Sequence, residues 1–334
     1  MRASVKELLA HYQVRKTVKQ KQRFIQWLKN HAIEHGYHIE EQLYKKGRGR
    51  NLIVGNPGEA QLLLTAHYDT PPHAIFPILT IIGNIPTYLF SQIFIFVPAI
   101  GTFWLLHYLL YYLFGNVIGL GEMIPFFWFE VPLLVFILLI LWCFQMMLGF
   151  PNRKNANDNT SGVAVLLALL EELSPEQRAK VCFVFFDEEE KGLEGSKNFR
   201  KQYGKEIRHT SLFNFDCVAH GKHLMFIRKK EFQESKFDNL LAEVVSDKAL
   251  LRDSRKNIYP SDQMLFKNSV GVTALHKLPL GKYYLSRLHS RFDSKFNSDN
   301  IEVLKGIMQG FIEKVSADDE KVAKGALQMD ENSV

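Results

Sequence analysis

Three short apolar runs recur along the chain, and each stops abruptly at a histidine or an acidic residue. Residues 61–66 (Gln-Leu-Leu-Leu-Thr-Ala), 181–186 (Val-Cys-Phe-Val-Phe-Phe) and 211–215 (Ser-Leu-Phe-Asn-Phe) lack the in–out alternation of a half-solvated strand. Such continuity marks strands covered on both faces. They deliver His67, the run Glu188-Glu189-Glu190 and Asp216 at or just beyond their C-terminal ends. Elsewhere the spacing is helical. Residues 4–35 carry Leu8, Leu9, Phe24, Ile25, Leu28 and Ile33, which predicts one or two amphipathic helices packed on a sheet. Residues 37–43 and 51–54 are shorter strand candidates, and Gly55-Asn56-Pro57-Gly58 is a turn. After Asp158, residues 161–173 predict an apolar helix. Strand and helix alternate, so the expected class is α/β, a mixed, largely parallel sheet with helices on both faces. In such sheets chemistry collects at the carboxyl ends of strands, which is where these polar residues fall.

Between His67 and Asp158 the pattern changes. Residues 75–114 are almost wholly apolar, and a second such run spans 131–150. A membrane helix needs roughly twenty apolar residues. The second run supplies one span. The first supplies either one long span with an interfacial or re-entrant piece, or two spans broken near Pro98-Ala99-Ile100-Gly101. If His67 and Asp158 serve one site, both ends of the insert lie on one side of the bilayer. The number of crossings is then even: two is favoured, and four would need short spans around 115–128. A large hydrophobic lid or dimerisation hairpin on a soluble protein is the rival reading, but an exposed patch of that size would aggregate in water. The expected organisation is a domain in two parts, 1–72 and 151–315, interrupted by a membrane insert at 73–150. A polar tail, 316–334, forms a helix end and a mobile terminus.

Apolar content of 47% is ordinary, but its distribution is not. From Ala74 to Asn152 there is no Lys or Arg, and the acidic residues are Glu122 and Glu130. The net charge of +6 therefore belongs to the water-facing parts, and so modest an excess is no nucleic-acid footprint. Lys45, Lys46, Arg48 and Arg50 precede the insert, and Arg153 and Lys154 follow it. The positive-inside rule then places both halves of the split domain in the cytoplasm. Cys143, Cys182 and Cys217 show no paired spacing, which favours reduced thiols. The first residues read as a charged amphipathic helix rather than a signal peptide.

Two imidazoles and several carboxylates, His67, Asp69, Asp158, the Glu188–Glu190 run, Asp216 and His289, are the ligand types that hold paired divalent metals for hydrolysis. Each also has a plain structural reading. His67 can be a satisfied strand-end histidine, Asp158 an N-terminal helix cap, and the glutamates a solvated turn. His220 and His223 read as surface or pocket histidines.

Five short motifs in order, Ala66-His67-Tyr68-Asp69, Asn157-Asp158-Asn159-Thr160-Ser161-Gly162, Glu189-Glu190-Lys191-Gly192-Leu193-Glu194-Gly195-Ser196, Asn214-Phe215-Asp216 and Leu288-His289-Ser290, resemble the M28 family of zinc peptidases, the co-catalytic di-zinc aminopeptidases and their relatives. The resemblance covers roughly residues 1–72 and 151–315 and leaves out the insert. It implies that His67 and Asp216 bind one zinc, that Glu190 and His289 bind the other, and that Asp158 bridges both. Asp69 would orient His67, and Glu189 would be the general base on the metal-bridging water. The frame Gly192-Leu193-x-Gly195-Ser196 selects Glu189 as base and Glu190 as ligand, with Glu188 held as an alternative. Ser261-Asp262 resembles a position that shapes the substrate pocket, and Tyr283, Tyr284 and Phe292 are candidate pocket residues. Ala219 stands where relatives often have Gly.

The resemblance thus implies a di-zinc metallopeptidase, most simply an aminopeptidase, and the apolar insert makes it membrane-integrated; Co²⁺ or Mn²⁺ can replace zinc. Its expected partners are a peptide substrate and membrane lipid, with no nucleic acid, and the insert offers a surface for a homo-oligomer. Two other readings remain: a glutaminyl-cyclase-like or other aminoacyl-transfer enzyme on the same fold, and a catalytically dead membrane interaction protein.

Overall fold

The computed structural model describes residues 1–74, 77–113, 133–134, 136–138, 140–141, 144–145 and 149–331. In chain order its main elements are α1 (Ala3–His11), α2 (Val18–Glu34), β1 (Ile39–Tyr44), β2 (Gly49–Val54), β3 (Leu62–His67), β4 (Ile78–Ile82) and α3 (Ile85–Tyr112). After the insert come α4 (Thr160–Leu170), β5 (Val181–Phe186), α5 (Glu194–Tyr203), β6 (Ser211–Phe215), β7 (His223–Arg228), α6 (Phe237–Val245), β8 (Leu250–Asp253), β9 (Ser269–Lys277), β10 (Tyr283–Leu288) and α7 (Ser298–Glu331).

The three uninterrupted apolar runs are β3, β5 and β6, and they lie side by side in the middle of one sheet. The strand order is β1-β2-β5-β3-β6-β9-β10-β4, with β7 paired to β9 and β8 to β7. β5, β3, β6 and β9 run parallel, while β1, β2, β10 and β4 add antiparallel flanks. The expected mixed α/β sheet is the one observed, with parallel pairing in its centre and between β7 and β8, and antiparallel pairing elsewhere.

Strand side chains alternate in direction, so each central strand feeds two cores. Leu62, Leu64, Ala66, Phe183, Phe185, Phe213 and Phe215 face the helices α1, α2, α4, α6 and α7. Leu63, Cys182, Val184, Phe186 and Leu212 face the other side, where Phe199 and Tyr203 of α5 cover them. This double burial explains the absence of polar alternation. All eleven residues of α4 are buried, with Asn159 capping its start by accepting the Gly162 N–H at 2.9 Å. α2 begins with a reciprocal capping box between Thr17 and Gln20.

Residues 78–82, the start of the stretch expected to be insert, form an edge strand of the sheet. β4 pairs antiparallel with β10, and Ile78 and Ile82 pack on Leu285 and Leu288. Its period-2 signal was hidden because the outward Leu79 and the half-buried Ile81 are as apolar as the inward residues. From Ile85 the chain enters α3, which runs as one helix through Pro98, so no break occurs at 98–101. Its large apolar side chains are mostly exposed, and Ile85–Leu109 is long and apolar enough to cross a bilayer. The second expected span, 131–150, lies largely outside the described residues, and the short spans around 115–128 lie wholly outside them.

Candidate metal centre

The parallel strands set the site. β3 ends on His67, β6 ends immediately before Asp216, and β5 ends before a turn that carries Glu189 and Glu190. Because the three strands are adjacent and in register, their C-terminal ends open onto one crevice. β9 continues to Lys277, past its last pairing with β6 at Phe215↔Val272. β10 then turns back antiparallel along β9 and returns His289 to that crevice.

Asp158 lies between the two imidazoles. Its Oδ1 is 3.5 Å from His67 Nε2, and its Oδ2 is 3.2 Å from His289 Nε2. Asp216 Oδ1 lies 3.7 Å from the same His67 nitrogen, and Glu190 Oε2 lies 3.4 Å from His289 Nε2. Among the described residues the donor atoms form interlocking groups close enough to share a cation, including His67-Asp158-Asp216 and Asp158-Glu190-His289, and His67 also groups with Glu189 and Glu190.

The loops between these donors are fastened by side chains. Asp69 lies 3.4 Å from His67 Nδ1 and accepts the backbone N–H groups of Glu189 at 3.0 Å and Glu190 at 3.3 Å. Glu188 points elsewhere: its carboxylate pairs with Lys191 at 2.6 Å and Lys45 at 3.2 Å. Its backbone, like those of Leu193, Cys217 and His289, sits in the left-handed region, with φ of 56°, 61°, 55° and 56°. Each such non-glycine residue costs on the order of 1–2 kcal/mol. Their clustering around the donors is where strain is expected at a functional site. Asp158 is joined to Asn159 by a cis peptide bond. Gly162 lets α4 approach β6, since a Cβ there would stand 2.1 Å from the Phe215 carbonyl oxygen.

Several contributions to the site could not be read from the sequence, although Asn157 stands in one of the motifs. Asp293 accepts the N–H groups of Asn157 and Asp158, each at 3.0 Å, and so holds the loop bearing Asp158. Asn157 Oδ1 accepts from Ala219 at 2.8 Å and His220 at 2.9 Å, tying that loop to the end of β6. Arg15, fully buried, donates to the carbonyls of Tyr12 and Tyr68 and to Thr160 Oγ1 at 3.2 Å. A buried Lys21–Asp187 ion pair lies beneath the glutamate turn.

The electrostatics follow from crowding carboxylates in a buried place. Burial, then repulsion from Glu190 and Asp262, raises the Glu189 carboxyl well above its usual range despite the opposing His67. Burial and Asp158 do the same to Glu190. Burial pushes Asp262 up to about 7. Burial disfavours a charged His67, but Glu189, Asp158, Asp216 and Asp69 outweigh it and raise the imidazole well above its ordinary value. Burial likewise opposes charge on Asp158, yet its contacts with His289 and His67 hold it below the usual carboxylate range. Burial lowers Arg15 to about 9, against the attraction of Asp69.

A cleft of about 360 Å³ opens on the cluster. Its walls include Tyr259, Leu285 and Leu288, with Ile78 and Thr80 from β4 and Gln92 from α3. Ser261 and Asp262 do not line it. Both are fully buried, and Ser261 Oγ accepts from Asn214 at 3.0 Å, so their neighbours Tyr259 and Pro260 meet the cleft instead. Tyr283, Tyr284 and Phe292 are absent from its walls. His220 faces His276, with their Nε2 atoms 3.1 Å apart, and His223 packs edge-on against Tyr283, so neither joins the donor cluster.

Residues 148–307 match the family described as peptidase family M28, which bears out the resemblance drawn from the motifs. Solved structures of similar fold include a Zn-dependent exopeptidase from Parabacteroides distasonis, at 14% identity and a TM-score of 0.53, covering 93% of this chain and 95% of that one. A glutaminyl cyclase from Bacteroides thetaiotaomicron aligns at 13% identity and TM-score 0.53, covering 92% and 94%. A leucine aminopeptidase precursor from the same organism aligns at 13% identity and TM-score 0.51, covering 92% and 93%. At these identities the likeness is one of fold. No curated protein matches the chain.

Proposed function

We propose that this chain, which matches peptidase family M28 over residues 148–307, is a zinc-dependent metallopeptidase that holds two metal ions and removes N-terminal residues from peptides. The observation that carries the reading is the position of Asp158, with one carboxylate oxygen toward each imidazole. The donor set suits a pair of divalent cations. Asp216 Oδ1 and Glu190 Oε1 are buried carboxylate oxygens with no hydrogen-bond donor, and five carboxylates face only two imidazoles across the cluster. His67 and Asp216 would hold one ion, Glu190 and His289 the other, with Asp158 shared. Zinc fits the fold neighbours, and a carboxylate-rich site also accepts Co²⁺ or Mn²⁺.

When bound, the ions polarise the scissile carbonyl and make water a stronger acid. The remaining work belongs to the chain. Glu189, held at the cluster through its own backbone N–H, takes a proton from the attacking water and passes it to the leaving amine. A carboxyl whose proton affinity is raised by burial is suited to both transfers. Asp69 holds the His67 ring and the Glu189–Glu190 turn in one arrangement. The exopeptidase and leucine aminopeptidase among the fold neighbours favour action at a free N-terminus. The glutaminyl cyclase among them is the second reading, and the full five-donor set weighs against it.

The same proposal includes the bilayer. Exposed apolar residues along α3 support a membrane span, and an even number of crossings keeps both halves of the site on one side. Basic residues at both ends of the insert then place that side in the cytoplasm. Apolar helices of this kind also offer a surface for pairing with a second copy.

The test is cleavage of free and N-acetylated peptides by detergent-purified protein, with and without chelator, beside a measured metal content. Chelator-sensitive loss of single residues from free N-termini, at two metals per chain, is expected. Cyclisation of N-terminal glutamine by protein holding one metal would replace the peptidase reading. Protection of the C-terminal tail from protease in inside-out vesicles would overturn the orientation.

A further inference from the structure

The first two turns of α3 differ from the rest of it. Thr87, Tyr88, Ser91 and Gln92 are polar or amphipathic, and beyond them residues 93–112 are apolar apart from Gly101, Thr102, His107 and a terminal group of tyrosines. Those roughly twenty residues rise about 30 Å, the thickness of a bilayer's hydrocarbon core. Aromatic residues mark both ends: Tyr88 lies near one, and Tyr111 and Tyr112 at the other, about 35 Å further along the helix at 1.5 Å per residue. The headgroup layer therefore falls at residues 86–92, and the hydrocarbon begins next to Gln92.

Gln92 is also a wall of the cleft over the metal cluster, beside Thr80 and Ile78 of β4. The two turns of α3 that belong in the headgroup layer are the ones that border the site. They are fixed to the catalytic sheet. Gly83, just before α3, accepts the Ile258 N–H at 2.7 Å, and β4 is paired to β10, which leads directly into His289. The insert's base is fastened to the same loop, since the His289 carbonyl accepts the Ala74 N–H at 2.6 Å and Asn152 Nδ2 donates to the Ser290 carbonyl at 3.0 Å. The position of the cleft relative to the span is thus set by the sheet itself.

From this geometry we infer that the cleft lies in the interfacial layer and that its substrates are peptides anchored in, or lying on, the membrane, with a free N-terminus only a few residues from the bilayer. The inference rests on the proposed membrane-integrated peptidase and deepens it. A mouth in the headgroup layer accepts an N-terminus that emerges from the bilayer on a short tether. A mouth pointing away from the membrane demands a tether long enough to reach round the domain.

Tether length is therefore the test. Full-length protein is reconstituted in vesicles with peptides that share one free N-terminal sequence, joined to one transmembrane helix by spacers of 4 or 20 residues. The spacers reach about 14 and 70 Å when extended. The untethered peptide is assayed alongside. Comparable rates for the two tethered peptides, within about threefold, are expected. Gln92→Trp, which narrows the membrane side of the cleft, should lower the ratio of short-tether to long-tether cleavage. A short-tether rate at least about tenfold below the long-tether rate would overturn the inference while leaving the peptidase and its membrane anchorage standing. Extraction of the protein by alkaline carbonate, or hydrolysis of none of the three peptides, would instead overturn the reading on which the inference rests, and the inference with it.

Discussion

The carboxylate of Asp69 accepts the backbone N–H of Glu189 at 3.0 Å. The same carboxylate lies 3.4 Å from Nδ1 of His67, two residues before it. One side chain thus fixes the end of β3 and the turn after β5 against each other. Asp69→Asn keeps the size but removes the charge and one acceptor. Metal affinity or kcat/KM should fall about 10- to 100-fold. Zinc titration and steady-state kinetics on the variant measure this, and an unchanged affinity with unchanged rate would remove Asp69 from the site.

Glu189→Gln retains shape and loses the proton acceptor. Its kcat should drop about 10²- to 10⁴-fold with metal content unchanged by elemental analysis. Glu188→Gln is the comparison, because Glu188 is engaged by Lys191 and Lys45 and faces away from the cluster. It should retain metal and most activity. The reverse outcome would exchange the roles of the two glutamates.

Asp293 holds Asp158 by its backbone, its carboxylate accepting the N–H groups of Asn157 and Asp158. Asp293→Ala leaves two buried N–H groups unpaired, at about 1–3 kcal/mol each. A lower melting temperature should accompany weaker metal binding, and excess metal should restore part of the activity. Loss of activity that no metal concentration rescues would mean a role beyond positioning Asp158.

Far from the cleft, Glu171 at the end of α4 pairs with Arg2 and His31, each at 3.1 Å. Burial alone would raise its carboxyl, but contacts with His31, Ser4 and Arg2 outweigh that and lower it to about 2. The folded form thus prefers the ionised carboxylate more than the unfolded chain does. Stability from this group is present in full above the unfolded value near 4.5 and is lost as pH falls toward 2. Glu171→Gln should therefore lower the melting temperature at pH 7 and converge with the parent near pH 2–3. A constant difference across that range would show that the effect is packing rather than charge.

The centre of the molecule was legible from residue order alone. Residues 181–186 and 211–215 are the strands observed, and 61–66 is displaced by one residue from β3. Their double burial makes them continuous apolar runs that no solvated segment imitates. His67, Glu190 and Asp216 were legible for the same reason, since each sits at or just beyond the point where such a run stops; Asp158 and His289 were found only through the order of the motifs. The order of the five motifs added the division of roles. The left-handed backbone and ion pairs of Glu188 could not be read from three identical side chains in a row.

What tertiary structure decided lies at the edges and behind the site. β4 could not be told from the insert, because its alternating burial is written in isoleucine, leucine and threonine on both faces. Strands β7 to β10 gained their place only from pairing across long stretches of chain, and that pairing carries His289 to Asp158. Asp293 and Arg15 have no local pattern at all, and the bonds made by Asn157 could not be read from its place in a motif. Each acts by giving or accepting hydrogen bonds at a backbone that folding brings near, from as far as 136 residues away for Asp293 and Asn157. Periodicity records which face of an element is buried. The partner it is buried against depends on the whole sheet, and so does the position of the cleft beside the first turns of α3.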